Sequence, residues 1–264
     1  MLIAQISDLH VRPAGQLYGG AADSNAHLTA AIRHLHELDR RPDLIILSGD
    51  LVDKGTPEEY AEAASRLNDL AIPFLIVAGN HDDRTGLRQA FPEHSYLPVS
   101  GALNYCIDAY PVRILVLDTC QPGLHHGEVD RQSLDWLDET LRSNPVKPTL
   151  LVMHHPPFVS GIPYLDKYRL LDSGPTAEIL RRFSNVEAVL CGHVHRSMVK
   201  RWAGTLVISC PSTTTEIALQ WQAGAVPQSY VGSQACLLHD WNAVDGLVSH
   251  VSYIEKGAGP FPFF

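Results

Sequence analysis

The sequence MLIAQISDLH at residues 1–10 is a short apolar run that ends in an aspartate and a histidine. Four later segments share this form, because each directly follows a run that is typical of a buried strand. They are Gly49-Asp50, Gly79-Asn80-His81-Asp82, His154-His155-Pro156-Pro157 and Gly192-His193-Val194-His195. In open α/β sheets, ligands collect beyond the carboxyl ends of the strands. We therefore predict that the five segments meet at one sheet edge and form a functional site.

Strand-like and helix-like runs alternate along the chain. Within Asp43–Ser48, the four residues Leu44–Leu47 are all apolar, which is typical of a strand covered on both faces. From residue 25 to 38, apolar residues recur at helical spacing, at Leu28, Ile32 and Leu35. Thr56-Pro57-Glu58-Glu59 has the pattern of a capped helix start with proline in the first turn. This alternation predicts an α/β fold in which helices cover the outside of sheets.

Composition excludes several classes of protein. The chain has 264 residues, of which 45% are apolar and 19% charged, so one domain with an elaboration is expected. A formal charge of −9 and the lack of a basic stripe argue against duplex nucleic acid or an anionic membrane as a partner. No apolar run reaches membrane-spanning length, no secretory signal is apparent, and the five cysteines are scattered. We expect a cytoplasmic protein with reduced cysteines.

The order D-X-H, G-D, G-N-H-D, H-X-P and G-H-X-H resembles that of the calcineurin-like metallophosphoesterases. Class III cyclic-nucleotide phosphodiesterases and bacterial glycerophosphodiesterases look most similar, and the resemblance runs from residue 1 to about residue 215. It implies a four-layer αββα sandwich of two mixed sheets with outer helices. Residues 1–215 would form the catalytic domain. Residues 216–264 would form a C-terminal elaboration that completes the sheet and caps the site or supports oligomers.

The resemblance also implies a centre of two divalent metal ions bridged by Asp50. One ion would bind Asp8, His10, Asp50 and His195, and the other would bind Asp50, Asn80, His154 and His193. Mixed imidazole and carboxylate ligands suit Fe, Mn, Co or Zn, whereas Ca prefers oxygen ligands alone. Each motif is weak by itself, but five in this order after five strands are hard to explain as structural coincidence.

Hydrolysis of a phosphate ester is the chemistry that such a centre would support. Paired metal ions lower the pKa of a shared water, so that hydroxide forms near neutral pH. Asp50 and Asn80 would take part through the metals. The resemblance makes His81 either an electrostatic stabiliser of the phosphoryl oxygens or the acid that protonates the leaving alkoxide.

Small phosphodiesters, such as cyclic AMP or glycerophosphodiesters, are the substrates we expect. Similar phosphoprotein phosphatases carry two phosphate-binding arginines where this chain has Lys54 and Ala78. Alternatives are a phosphomonoesterase, a nucleotide pyrophosphatase or a nuclease of the same fold. A non-catalytic metal-binding scaffold is a further alternative. Some proteins of this fold have lost ligands and serve as protein-binding modules, but here the set of ligands is complete.

Several residues have open roles at this point. His125 and His126 lie in a loop that either lines the pocket or is simply solvated, and Tyr18 could line the mouth of the site. Asp53 is expected to orient a loop, and His155 to be structural or to support a ligand. The aromatic residues Trp221, Tyr230, Phe261, Phe263 and Phe264 either fold back over the body or bury against a second subunit. We favour a homodimer or higher homo-oligomer.

Overall fold

The computed structural model describes residues 1–232 and 234–262. The helices are α1 (Ser24–His36), α2 (Pro57–Leu67), α3 (Arg84–Ala90), α4 (Arg131–Ser143) and α5 (Gly174–Leu180). The strands up to the last site motif are β1 (Leu2–Ile6), β2 (Leu44–Leu47), β3 (Phe74–Ile76), β4 (Tyr105–Ile107), β5 (Arg113–Val116), β6 (Thr149–Val152) and β7 (Val186–Cys191). The later strands are β8 (Met198–Trp202), β9 (Thr205–Ser209), β10 (Glu216–Ile217), β11 (Ser229–Tyr230), β12 (Ala235–Asn242) and β13 (Gly246–Tyr253).

Two mixed sheets carry the fold. The first has the order β13-β12-β1-β2-β3, in which β1, β2 and β3 are parallel and β12 and β13 are antiparallel additions. The second has the order β4-β5-β6-β7-β9-β8, with parallel strands in the middle and antiparallel strands at both edges. Strands β10 and β11 form a separate ribbon. The motif-bearing strands β1, β2, β3, β6 and β7 are all parallel members of these sheets.

Alternate residues of β5 show how the layers stack. Ile114 and Val116 belong to a core that also includes residues of the first sheet and of α1 and α2. Leu115 belongs to a second core that includes apolar residues of α4 and α5. Successive strand residues point to opposite faces of a sheet. The two sheets therefore face one another, with helices on each outer side, and the predicted α/β sandwich is confirmed.

Local signals explain where helices begin. In α2, Thr56 accepts a hydrogen bond from the Glu59 backbone while the Glu59 carboxylate accepts one from the Thr56 backbone, and Pro57 occupies the first turn. The predicted capping box is therefore present. The predicted helix at residues 25–38 is α1, which ends two residues earlier than expected. None of the described helices is long and apolar enough to cross a membrane.

The C-terminal residues join the first sheet. Strand β12 pairs with β1 and carries β13 on its other side. The domain boundary between residues 215 and 216 stays a prediction. Within the predicted tail, residues 257–262 form no helix or strand, and Phe263 and Phe264 lie outside the described residues.

Candidate metal centre

The loops that follow the motif-bearing strands are joined by backbone hydrogen bonds. The Asp8 N–H donates to the Gly49 carbonyl at 3.0 Å, and the His10 N–H donates to the Asp50 carbonyl at 2.9 Å. Across to the second sheet, the His193 N–H donates to the Asp8 carboxylate at 3.0 Å. The strand ends of both sheets thus meet, as predicted, at a single place.

Five of the seven predicted metal ligands have left-handed backbone conformations. Their φ angles are 53° at Asp8, 45° at His10, 51° at Asp50, 70° at His193 and 52° at His195. Such a conformation costs a non-glycine residue of order 1–3 kcal/mol and persists only where the surroundings impose it. All five side chains are buried, so the fold holds them in strained conformations that aim them at a common point.

One group of ligand atoms surrounds Asp8, His10 and His195. The Nε2 atoms of His10 and His195 lie 3.1 Å apart, and His195 Nε2 lies 3.5 Å from Asp8 Oδ1. The other ring nitrogen of His195, Nδ1, lies 3.0 Å from the Thr215 carbonyl, to which it donates. That bond leaves His195 Nε2 with a lone pair directed into the group, as metal-binding histidines require.

A second group surrounds His154. Its Nε2 lies 3.2 Å from Asn80 Oδ1 and 3.3 Å from His193 Nδ1. Its Nδ1 donates to the Ser48 carbonyl at 2.9 Å, so Nε2 is the ring nitrogen that faces the group.

Asp50 lies between the two groups. Its Oδ2 is 3.8 Å from His10 Nε2 in the first group and 3.3 Å from His154 Nε2 in the second. Gly79 permits this position, because a Cβ there would lie 2.1 Å from Asp50 Oδ1. All seven predicted ligands are therefore brought together, with Asp50 where a bridging carboxylate would have to be. Their assignment as ligands stays a prediction.

Burial and mutual interaction set the protonation of the centre. Burial lowers the pKa of His10 and of His193 well below the usual value, which keeps both imidazoles neutral and able to bind a metal. Burial also lowers the pKa of His154, but Asp50 beside it outweighs this and raises the pKa to about 9. Conversely, burial opposes ionisation of Asp50, yet His154, His81 and His10 hold its pKa well below the usual range. Neutral imidazoles at His10 and His193 beside the ionised Asp50 fit divalent metal ions, and His154 would release its proton on binding a metal.

His81 faces the cavity above this centre. Its backbone N–H donates to Asp50 Oδ1 at 2.9 Å, and its Nδ1 donates to the Asp53 carbonyl at 2.7 Å. Burial lowers its pKa, but Asp50 and Asp53 more than compensate, so that the net shift is upwards. A histidine with a raised pKa carries a proton over a wider pH range, as an acid or an electrostatic stabiliser must.

Two further aspartates support the loops. Asp82 accepts hydrogen bonds from the backbone of Leu51, Val52 and Gly79, so it ties the Asp50 loop to the Asn80 loop. Burial and the nearby Asp50 raise the pKa of Asp82 to about 7. Asp53 pairs with the buried Arg12 at 2.8 Å. This ion pair agrees with the prediction that Asp53 orients a loop.

A cavity of about 400 Å³ opens above the ligands. It is lined by His10, Tyr18, Asp50, Asn80, His81, His125, Tyr164, Leu165, Tyr168, His193, His195, Thr215, Ile217, Pro227, Gln228 and Ser229. The residues from 164 to 168 were not predicted to line it, whereas those from 217 to 229 belong to the segment that was expected to cap the site or to support oligomers. The only sequence signal for the first set was a pair of tyrosines at i and i+4, which is more often part of a core.

The structure places the four residues whose roles the sequence left open. His125 lines the cavity, with Nδ1 3.1 Å from Asn80 Nδ2, whereas His126 pairs with Glu128 and lies outside it. Tyr18 also lines the cavity and stacks on His10 with ring centroids 4.4 Å apart. His155 is buried and bonds through its ring nitrogens to Thr119 Oγ1 and the His125 carbonyl, so it holds the His125 loop.

Lysine and arginine side chains do not line the cavity among the described residues. Lys54 is exposed and lies outside it, and its backbone N–H donates to the Glu59 carboxylate. Ala78 is buried and contributes no charge. The sequence indicated that the pair of phosphate-binding cationic side chains is incomplete. In the structure, neither position contributes a positive charge to the described cavity wall.

Comparison with known proteins places this centre in a family. A family model described as calcineurin-like phosphoesterase matches residues 1–197. The chain belongs to the calcineurin-like phosphoesterase family. The predicted family is thus confirmed, and with it the expectation of a centre for divalent metals.

Relatives of this family align over nearly the whole chain. A protein of Arcobacter nitrofigilis named as a probable glycerophosphodiester phosphodiesterase is 34% identical over 265 residues, covering 100% of this chain and 97% of the relative. A Mycobacterium tuberculosis protein named as a cAMP/cGMP dual specificity phosphodiesterase is 33% identical over 245 residues, covering 90% and 74% respectively. A 3′,5′-cyclic adenosine monophosphate phosphodiesterase of Haemophilus influenzae is 26% identical over 255 residues, covering 96% and 91%.

Solved structures share the fold. A dimetal phosphatase from Danio rerio superimposes with a TM-score of 0.66 at 14% identity, covering 97% of this chain and 99% of that one. A purple acid phosphatase from yellow lupin gives a TM-score of 0.61 at 12% identity, covering 90% of this chain and 49% of that one.

Proposed function

We propose that this protein hydrolyses small phosphodiesters at a centre of two divalent metal ions held by the seven ligands. The prediction of phosphodiester hydrolysis agrees with the family and with relatives named as phosphodiesterases of glycerophosphodiesters and cyclic nucleotides. The observation that carries the proposal is the Asp50 carboxylate, which lies within 3.8 Å of an imidazole of each ligand group. When bound, the ions lower the pKa of water and polarise the phosphoryl group.

The protein's own residues position and stabilise the reacting groups. Asp8, Asp50, Asn80 and the four histidines would hold the ions. His81 would meet the charge that develops on the phosphoryl oxygens or protonate the leaving alkoxide. Its bonds to the Asp53 carbonyl and Asp50 fix the ring, so little reorganisation is required when the substrate arrives. The burial of the ligands excludes water from all but the cavity side of the centre.

Charge at the cavity favours diesters over monoesters. A phosphomonoester is a dianion near neutral pH, because its second pKa is close to 6, whereas a diester carries one negative charge. A dianion would gain most from lysine or arginine donors, and the described cavity lining contains neither. Tyr18, Tyr164 and Tyr168 instead offer aromatic surface to the groups esterified to the phosphate. Cyclic nucleotides and glycerophosphodiesters both suit such walls.

A substrate panel tests the proposal. We expect kcat/KM for bis-p-nitrophenyl phosphate and cyclic AMP to exceed that for p-nitrophenyl phosphate. Glycerophosphocholine, compared directly with cyclic AMP, discriminates the two diester classes. A wide preference for the monoester would overturn the substrate class, and activity that survives complete chelation would overturn the metal centre.

The identity and number of the metals are part of the proposal. Imidazole nitrogens outnumber carboxylates among the ligands, which favours Fe, Mn, Co or Zn. We expect about two such ions per chain by elemental analysis, in line with family sites in which two ions lie roughly 3.5–4 Å apart.

Cytoplasmic location and a homo-oligomeric state complete the proposal. All five cysteines are free, which suits a reducing compartment. Trp221 and Tyr230 are 69% and 64% exposed, so large aromatic surfaces are available to a second subunit. Fractionation of cells and light scattering of the purified protein test the two statements.

A further inference from the structure

Strand β13 is an unprotected edge of the first sheet. It is the last strand in the sheet order, and among the described residues it pairs only with β12. It is eight residues long and reads Gly-Leu-Val-Ser-His-Val-Ser-Tyr, without a lysine, arginine, aspartate, glutamate or proline. Val248, Val251 and Tyr253 on it are 47%, 44% and 61% exposed. A long, uncharged edge of this kind templates pairing with another strand unless something covers it.

The other sheet edges carry the usual protection. Strand β8, the corresponding edge of the second sheet, has Lys200 and Arg201 in its middle. The remaining edges, β3 and β4, are only three residues long. Charged and very short strands are the common devices against edge-to-edge association. Only β13 lacks both devices among the edges of the two described sheets.

The hydrogen-bond pattern shows which groups of β13 face outward. The Ile254 N–H donates to the Gln234 carbonyl, so this pair and every second pair before it are bonded to β12. The alternate residues, Leu247, Ser249, Val251 and Tyr253, therefore direct their backbone N–H and C=O groups away from the sheet. Four consecutive outward positions are enough for a regular antiparallel ladder.

We propose that β13 pairs with β13 of a second copy of this chain, which joins two first sheets into one continuous sheet. A two-fold axis near His250 brings Leu247 opposite Tyr253 of the partner subunit, and Ser249 opposite Val251 of the partner subunit. Every outward group then finds an outward group on the other strand. Apolar cross-strand pairs of this type stabilise antiparallel strands. In a two-fold symmetric interface, the same surface patch of each subunit contacts its counterpart, so both edges become paired.

Charge beside the strand does not oppose the approach of a second copy, although the chain as a whole is acidic. Each chain carries a formal charge of −9, so two copies repel one another over most of their surfaces. Next to β13, however, Arg33 and Glu37 of α1 surround one pocket together with Glu255 and Lys256. The hydrogen bond from His34 to Ser252 holds α1 against the strand at 2.8 Å. This flank has two charges of each sign, so it is locally neutral and suits self-association.

The interface proposed here differs from one built on exposed aromatic residues. Trp221 and Tyr230 lie on the segment that rims the active-site cavity, whereas β13 lies at the end of the first sheet. The two locations can be separated by variants that affect only one of them.

Light scattering on matched edge variants tests the pairing. Val248→Lys adds a positive charge at the centre of the β13 edge, and Val199→Lys adds one at the β8 edge, where valine is 65% exposed. We expect the wild-type protein and Val199→Lys to be dimeric at micromolar concentration. The dissociation constant of Val248→Lys should rise at least tenfold. A wild-type monomer at tens of micromolar, or equal dimerisation of both variants, would overturn the proposal.

A measurement without substitution guards against misfolded variants. Amide hydrogen exchange of the wild-type protein should show slow exchange at Leu247, Ser249, Val251 and Tyr253 when the protein is concentrated, and faster exchange on dilution. Concentration-independent fast exchange at all four would contradict the ladder. The proposal would also be rejected if substitution of Trp221 or Tyr230 abolished the dimer while Val248→Lys remained dimeric. That result would place the interface on the exposed aromatic residues beside the cavity.

Discussion

The two sides of the active-site cavity are held in different ways. The strand-end wall consists of His81 and five predicted ligands, with the ligands Asp8 and His154 buried directly behind them; the five are His10, Asp50, Asn80, His193 and His195. The ligands among them are largely buried, and five have imposed left-handed backbones. The rim wall consists of Tyr164, Tyr168, Ile217, Gln228 and Ser229, which lie in loops or in the two-residue strands β10 and β11.

The two walls are therefore expected to have different functions. Rigid, mutually bonded strand ends can hold ligand atoms at the spacing that metal ions require, because the core behind them prevents relaxation. Loops tolerate change and line the part of the cavity farther from the ligands. Substitutions in the strand-end wall should therefore affect metal content and rate, and substitutions in the rim wall should affect substrate preference.

The largest effect is expected for Asp50→Ala. Because Asp50 reaches both ligand groups, its loss should lower metal content from about two ions per chain to less than one. The rate should fall by more than the roughly 10–100-fold loss that follows removal of a residue supporting a metal ligand. Elemental analysis with steady-state kinetics measures both quantities. The exposed Asp69→Ala is the control, and full metal content in Asp50→Ala would show that the bridge is misassigned.

A smaller effect is expected for His81→Ala, which should keep its metals but lose kcat. Removing one transition-state donor typically costs on the order of 10²–10³ in kcat. The matched control is His126→Ala, since His126 is outside the cavity and paired with Glu128. If His81 is the acid, the loss should shrink for a p-nitrophenyl leaving group. Loss of metal along with rate would instead indicate that His81 is a structural support of the centre.

Next in size is Tyr168→Ala in the rim wall. Its aromatic face is available to a base or another planar group, and such stacking contributes about 1–3 kcal/mol per base. KM for cyclic AMP should therefore rise about tenfold, while that for methyl p-nitrophenyl phosphate should change little. Tyr230→Ala removes an exposed tyrosine next to the rim and serves as the control. Equal increases for both substrates would mean that the rim does not select between diesters.

The smallest effect is expected for Lys54→Ala. Lys54 occupies the position of a phosphate-binding arginine in similar phosphatases, but its side chain is exposed and outside the cavity. Exposed charges are screened by salt, so kcat/KM for diesters should change less than about twofold. The same assay with p-nitrophenyl phosphate is informative, because a tenfold loss there would reveal a phosphate clamp after all.

The sequence predicted the site better than its surroundings. A motif after each of five strands was enough to predict where Asp8, Asp50 and His154 would meet, because parallel strands place their carboxyl ends at the same edge. By contrast, His125 and His126 are neighbours of the same residue type in one loop. Only the path of that loop decides that His125 reaches Asn80 and His126 does not.

For a related reason, the residues of the rim wall could not be named, although a cap from the C-terminal segment was one of the expectations. Residues from 215 to 229 have mixed polarity and weak periodicity, and their position depends on contacts far away in sequence. Thr215 reaches the site by accepting a bond from His195, and the ribbon of β10 and β11 places Ser229 in the cavity. Similarly, residues 216–264 were expected to complete the sheet, but the sequence did not indicate that β12 and β13 are the strands that join it.

By itself, the sequence determined the family, the α/β alternation and the set of residues that could bind metal. These follow from local rules, since periodicity selects helix or strand and each ligand is adjacent to the strand that carries it. Tertiary structure alone decided which side chains surround the cavity, how the buried carboxylates and imidazoles shift one another's pKa, and that β13 forms a bare edge. Those features depend on distances between residues remote in the chain, and only packing determines such distances. An example is the 3.3 Å between Asp50 Oδ2 and His154 Nε2.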